Sequence, residues 1–290
     1  MNTIRYIEVA PAVKLQVTDY GTGKPVVMIH GWPLSNEIFK YQYQDLIDNG
    51  YRAIGITLRG FGRSDRSDER YDISTFSSDI EAIFIALSIE NAILIGHSLG
   101  AIVAAKYIAA YSSYRVDKLV LLSANVPLSA QLNDQDYSFL KNQYDGIITG
   151  VKKSRLTTLN VCGPTFLLDT DFLPQSVGNW LNKIMNEAAV DAIVQSMISI
   201  RDLDLSTDLH KIDIPTAIFH GVNDQVIPIN IVEEAYIGIK NTTLVKFEEG
   251  GHWIFLKERE RFLSELLKFI QMENNHVQNA LFAEMIISIQ

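Results

Sequence analysis

Residues 92–95, Ala-Ile-Leu-Ile, run directly into Gly96-His97-Ser98-Leu99-Gly100, and residues 101–110, Ala-Ile-Val-Ala-Ala-Lys-Tyr-Ile-Ala-Ala, run out of it. The first run is short, branched and wholly apolar, the pattern of a strand buried on both faces. The second is rich in residues that lose least on entering a helix. The pentapeptide therefore falls at a strand-to-helix turn. There Gly-x-Ser-x-Gly has a mechanical meaning: a tight turn, a strained Ser backbone and a hydroxyl lifted clear of the sheet. Gly96 and Gly100 remove side chains where the helix start must lie close to the strand. The helix N-terminus adds free N–H groups and a positive dipole end beside Ser98. With Gly near 7% of residues, such a match arises by chance in roughly one chain in ten of this length. It is the flanking strand and helix that make Ser98 a candidate nucleophile.

The same alternation extends along the chain. Ile4–Val9 and Val13–Asp19 alternate apolar and polar residues and predict an antiparallel hairpin. Val26–Ile29 is a second buried run, ending in His30-Gly31-Trp32-Pro33. A helix is expected from near Ser35 to the stop signal Asn49-Gly50. Tyr51–Ile56 and Val116–Leu122 read as strands, and Ser74–Ser88 as a helix capped by Ser74 or Thr75. The pattern lapses from Asn125 to Leu205, where helical stretches carry Phe139, Tyr144, Phe166, Phe172 and Trp180 and a further helical stretch spans Asn186–Ile200. It returns with Ile214–His220, a helix over Ile229–Ile237, Thr242–Phe247 and a closing amphipathic helix over Phe255–Met272. Strands alternating with helices predict an α/β architecture, a mostly parallel eight-stranded sheet with helices on both faces. Residues 1–124 and 206–272 form the expected core. Residues 125–205 form an inserted helical cap over the mouth of the sheet, with a minority of its aromatics facing a pocket. Residues 273–290 form a tail of unassigned role.

Composition narrows the function classes. A chain of 290 residues is one large domain or one domain with an insertion. A net charge of −9 disfavours nucleic acid and anionic membrane surfaces as partners. Cys162 is the single cysteine, so neither an internal disulfide nor a zinc cluster is written here. The chain lacks a basic start followed by a long apolar stretch, and no run reaches the length of a membrane span. The expectation is a soluble cytoplasmic protein that acts on a small molecule and needs no cofactor and no metal. Its oligomeric state is left open.

In an open α/β sheet, ligands bind outside the carboxyl ends of the strands. Four candidate groups fall there: His30-Gly31-Trp32, Ser98, Asp224 and His252. A Ser hydroxyl needs an adjacent base, and His252 suits the task. An Asp must hold that imidazole in one tautomer and stabilise the imidazolium. The order Ser98, Asp224, His252 is the one expected on this scaffold. Asn125, at an alternative strand exit, cannot replace a carboxylate. Two donors must meet the oxyanion: the backbone N–H of Leu99, and that of Trp32, whose loop a cis bond before Pro33 would aim. The other histidines read as supporting residues. His97 packs beside the turn, His30 orders its loop, His220 lies in the core, and His210 and His276 lie on the surface.

These residues resemble the α/β-hydrolase fold family over the whole chain except the cap and tail. His30-Gly31-Trp32-Pro33-Leu34-Ser35, Arg59-Gly60-Phe61-Gly62-Arg63-Ser64 and Gly221-Val222-Asn223-Asp224-Gln225-Val226-Ile227-Pro228 look most like the cofactor-free bacterial haloperoxidase, or aryl esterase, branch. The resemblance implies a serine hydrolase of small esters or lactones. It also implies a capacity to make peracids from a carboxylic acid and hydrogen peroxide. Thr57 stands where the family usually has an Asp that orders the Arg59 loop, and Ala101 where a second Gly is common. Ser98 argues against haloalkane dehalogenases and epoxide hydrolases, which place Asp at the nucleophile position. A C–C bond hydrolase or lyase, and a non-catalytic ligand receptor, remain as alternatives on the same fold.

Overall fold

The alternating residues at the start of the chain form the hairpin expected of them. β1 (Thr3–Ala10) and β2 (Val13–Tyr20) pair antiparallel, and Ala12 turns the chain at φ +60°. A computed structural model describes residues 2–67, 70–111, 113–124, 134–162, 174–236 and 238–272. After the hairpin come β3 (Pro25–Ile29), a 3-10 turn (Asn36–Phe39) capped by Ser35, α1 (Lys40–Asp48) and β4 (Arg52–Ile56). Next are α2 (Ile73–Ala86), β5 (Ala92–His97), α3 (Leu99–Tyr111) and β6 (Val116–Leu122). Helices α4 (Asp134–Cys162, broken by a kink at Ser154), α5 (Gln175–Asn186), α6 (Val190–Asp202) and α7 (Ser206–Leu209) lie between β6 and β7 (Thr216–Gly221). The described chain closes with α8 (Ile229–Tyr236), β8 (Thr242–Phe247), α9 (Ile254–Lys257) and α10 (Arg259–Gln271).

The eight strands form one sheet in the order β1-β2-β4-β3-β5-β6-β7-β8. Only β1–β2 and β2–β4 pair antiparallel; every other pair is parallel. The central strands are buried on both faces, with Val26, Val27, Met28 and Ile29 at 1% exposure or less. Each such side chain contributes about 1.5–3 kcal/mol relative to exposure. The chain runs from β3 to β4 on one side and returns to β5 on the other. A crevice therefore opens at the carboxyl ends of β3 and β5, where strand order reverses. Among the described residues no helix is long and apolar enough to cross a membrane.

Three boundaries differ from the sequence reading, each for a local reason. The cap of α2 is Asp72, not Ser74 or Thr75; its extended backbone lets the carboxylate accept from Thr75 N–H at 2.8 Å. The helical stretch read as Asn186–Ile200 is broken at Ala189, whose backbone is extended so that its N–H can donate to Gly60 O at 2.8 Å. The closing helix is two helices, because Glu258 leaves helical geometry at φ −109°, ψ 46°.

The loop after β4 is held although Thr57 replaces the expected Asp. Thr57 Oγ1 accepts from Asn36 N–H at 3.1 Å, and Ser64 Oγ donates to Thr57 O at 2.6 Å. Arg59 then plunges inward to a bidentate pair with Asp79 of α2, at 2.7 and 2.6 Å. Their side chains are 3% and 1% exposed. Burial lifts the Asp79 carboxyl above the ordinary carboxylate range, and Arg59 offsets this only in part. Removing one partner leaves a buried charge alone. Arg59→Met or Asp79→Leu should each cost about 3–5 kcal/mol of unfolding free energy in urea, whereas the double variant should recover most of it.

Candidate active site

The elbow at Ser98 is a steric construction. A Cβ on Gly100 would strike the Ile29 carbonyl of β3, and one on Gly96 would overlap the backbone of Gly100. Only glycine lets α3 start this close to β5. On the β3 side, a Cβ on Gly31 would stand 2.7 Å from His97 Nδ1 and 3.1 Å from Ser98 Cβ. Squeezed between them, Ser98 adopts φ +53°, a left-handed conformation uncommon outside glycine. Its N–H donates to Leu122 O at 2.9 Å, and its carbonyl accepts the first α3 bond, from Ala101 N–H at 3.0 Å.

Beside the elbow runs the loop after β3. The Trp32–Pro33 peptide is cis. His30 is fully buried and orders this loop. Its Nδ1–H donates to Gly31 O at 2.8 Å, and its Nε2 accepts from Leu58 N–H at 3.0 Å. The Trp32 indole N–H donates to Ile193 O of α6 at 3.1 Å.

Asp224 and His252 arrive on the exit loops of β7 and β8. The loops are knitted together: Asn223 N–H donates to Gly250 O at 2.9 Å, and its carboxamide to Glu248 O at 2.8 Å. His252 Nδ1 donates to Asp224 Oδ2 at 2.8 Å. The other carboxylate oxygen accepts from Val226 and Ile227 N–H at 2.8 and 3.0 Å. Burial alone would raise the Asp224 pKa. The charge and hydrogen bond of His252, with help from His220 and the Ile227 N–H, more than reverse this and hold it below the ordinary range. An ionised Asp224 fixes the proton of neutral His252 on Nδ1 and leaves Nε2 as the free base.

The structure brings the sequence-predicted residues to one place. Ser98, His252, Trp32 and Leu99 line a single cavity of about 520 Å³, open mouth included, and Asp224 stands behind His252. His97 and His220 are buried beside it, and His210 is exposed. Of the aromatics between β6 and β7, Tyr144 of α4 reaches the cavity, together with Met197 and Ile200 of α6. Phe139 is exposed, and Trp180 packs instead over Lys40 near α1. Phe166, Phe172, Asn125 and His276 lie outside the described residues, as does the tail. Tyr144 belongs to the buried stripe Leu140, Tyr144, Ile147, Ile148, Val151, so its spacing alone did not separate it from core. Among the described residues, no group of three or more His, Cys, Asp or Glu side chains is placed to hold a metal ion.

Comparison with known proteins identifies the fold family. Residues 24–259 match the family model described as alpha/beta hydrolase fold. The chain is 38% identical over 264 residues to the AB hydrolase superfamily protein YisY of Bacillus subtilis, covering 91% of this chain and 98% of the relative. It is 29% identical over 272 residues to a non-haem haloperoxidase of Rhodococcus erythropolis, covering 92% and 99%. Its structure resembles that of the esterase EaEST from Exiguobacterium antarcticum with a TM-score of 0.85 and 35% identity, covering 94% and 100%. The chain belongs to the α/β-hydrolase fold family, and its relatives include members of the haloperoxidase and esterase branch.

The loop histidine makes a pH prediction. Burial pushes the His30 pKa down to about 4, against the opposing pull of the Gly31 carbonyl. The unfolded chain takes up this proton near the ordinary 6.5, so between the two values it binds more protons than the folded protein. Stability is then complete above pH 6.5 and is lost as pH falls toward 4, by roughly 3 kcal/mol. Unfolding free energies at pH 7 and pH 4.5 should differ more in the wild type than in His30→Gln.

Proposed function

We propose that the protein is a serine hydrolase of small, uncharged carboxylic esters or lactones, acting through an acyl-enzyme on Ser98. The observation that carries this reading is the 2.8 Å bond from His252 Nδ1 to buried Asp224, with Ser98 and His252 lining one cavity. His252 Nε2 takes the Ser98 proton as Oγ attacks the carbonyl and then delivers it to the leaving oxygen. Asp224 keeps the imidazole in the working tautomer and stabilises its cation. The N–H groups of Trp32 and Leu99 receive the oxyanion; Leu99 opens α3, where a helix N–H has no acceptor within the helix. Water, activated by His252, then releases the acid and restores Ser98.

The walls support the substrate class. Leu99, Ile102, Met197, Ile200 and Ile227 make the cavity apolar. No Lys, Arg, Asp or Glu is among the described residues that line it, so a charged acyl group would enter without a counter-ion. We assign the helices between β6 and β7 to a cap that builds this wall and shapes acyl preference. A second reading draws on the haloperoxidase-like relative: hydrogen peroxide in place of water would release a peracid from the same acyl-enzyme.

Three measurements test the reading. A fluorophosphonate should label Ser98 and no other serine. On one activated ester, Asp224→Asn should lower turnover by up to about 10⁴-fold with little change in Tm, because His252 would sit in the wrong tautomer. Tyr144→Ala or Met197→Ala should shift preference toward longer acyl chains across a graded ester series. Labelling at another serine, or near-normal turnover in Asp224→Asn, would remove the assignment.

A further inference from the structure

Two imidazole nitrogens in the interior have no hydrogen-bond partner among the described residues, Nδ1 of His97 and Nδ1 of His220. Both residues are buried, at 1% and 0% exposure. In each ring the other nitrogen faces a backbone carbonyl. His97 Nε2 lies 3.1 Å from His252 O, and His220 Nε2 lies 2.8 Å from Ile227 O. A carbonyl only accepts, so both rings carry their proton on Nε2. Burial holds both rings well toward the neutral form. Each Nδ1 is therefore an acceptor with no donor among the described residues. Such an orphan is rare in protein interiors and costs about 1–3 kcal/mol.

The two carbonyls show what the cost maintains. His252 O belongs to the residue that carries the base. Ile227 O belongs to the turn whose Val226 and Ile227 N–H groups clasp Asp224 Oδ1. His220 closes that turn from the carbonyl side, and its Nε2 lies 3.5 Å from Asp224 Oδ2, the oxygen that accepts from His252. His97 immediately precedes Ser98. Its bond ties the His252 backbone to the elbow itself, so the placement of base relative to nucleophile runs through one hydrogen bond from the neighbouring residue. The His97 ring is clamped by Trp253 and Phe255, with centroids at 4.9 and 5.0 Å. A flat ring with two side-chain torsions, held in this way, is a stiffer donor than an extended amide.

We propose that His97 and His220 are positioning residues: His97 fixes the His252 backbone against the Ser98 elbow, and His220 fixes the turn that presents Asp224. Neither touches substrate or exchanges a proton during turnover. The inference rests on the serine-hydrolase reading and deepens it.

The test uses the full-length protein with three substitutions at each position. His97→Leu and His220→Leu remove the donor and the orphan together. His97→Gln and His220→Gln keep an N–H near the Nε2 position. His97→Asn and His220→Asn keep an amide but set it on the Nδ1 side. Turnover on p-nitrophenyl acetate is normalised to sites titrated to completion with a fluorophosphonate, and Tm is measured alongside. The Leu and Asn variants should lose about tenfold to a hundredfold in kcat, the effect of a misplacement near 1 Å, with KM nearly unchanged. In the Leu variants the unpaired Nδ1 is exchanged for an unpaired His252 or Ile227 carbonyl, so Tm should stay near the wild-type value, and the Gln variants should regain most of the kcat. Leu variants with wild-type kcat per titrated site, or Gln variants no better than Asn, would overturn the proposal. Ser98→Ala is assayed in the same series. Retained hydrolysis there would sink the serine-hydrolase reading and this inference with it. Lost hydrolysis there, beside undiminished Leu variants, would sink the positioning role alone.

Discussion

The close approach of α3 to β5 and β3 is the constraint from which the site follows. Gly96, Gly100 and Gly31 leave no Cβ where three backbones meet, and Ser98 is bent to φ +53° between them. A non-glycine residue there costs of order 1–3 kcal/mol and persists only where the surroundings over-determine it. Here they do. The Ser98 N–H is taken by Leu122 of β6, and its carbonyl nucleates α3. The same crowding brings the loop after β3 against the elbow, so the two backbone donors assigned to the oxyanion come from segments that cannot drift apart. The strain and the assembly of the site are thus consequences of one packing arrangement.

Electrostatics completes what sterics begins. Asp224 is 4% exposed and would be expensive as a carboxylate if left alone. Two backbone N–H groups and the His252 Nδ1–H keep it ionised. The histidines around it are differentiated by their partners. His30 and His97 are held neutral by burial and spend their N–H groups on carbonyls. His252 alone combines a carboxylate partner with a place on the cavity wall. One residue type thus stands in three settings, pinning a loop at His30 and assigned as brace at His97 and as base at His252, and the hydrogen-bond partner of each ring distinguishes them.

Much of this was legible in the sequence because local pattern and global position agree there. The apolar run before Gly96 and the alanine-rich run after it specify strand, turn and helix without outside help. The hairpin, the parallel order and the residues at each strand exit follow from the same alternation. What escaped had long-range causes. The break at Ala189 exists because its N–H reaches Gly60, far away in sequence. Of the aromatics expected in the cap, only a minority were to face the pocket, and the sequence did not say which: Trp180 packs over Lys40, and Phe139 is exposed. Tyr144 and Met197 lie on ordinary amphipathic stripes, and only the packing of α4 and α6 decides which turn of each helix reaches Ser98. The Arg59–Asp79 pair was also unread, since a buried bidentate bond between a loop and a helix has no signature in spacing.

The indole of Trp32 joins the two halves of the site. Its backbone lies in the loop assigned to the oxyanion, while its side-chain N–H is bonded to Ile193 O of α6. Four residues further along α6, Met197 lines the cavity, and one turn beyond it stands Ile200. Helix α6 is anchored to the core elsewhere too, where Ser199 Oγ accepts from Ile73 N–H at 3.1 Å and Ala192 abuts Gly60. A displacement of α6 that enlarges the acyl wall must therefore pull on Trp32 and on the loop after β4. Under the proposed mechanism, acyl preference and oxyanion geometry are linked through this side chain, and a substrate that forced the wall outward would displace the donor assigned to its transition state.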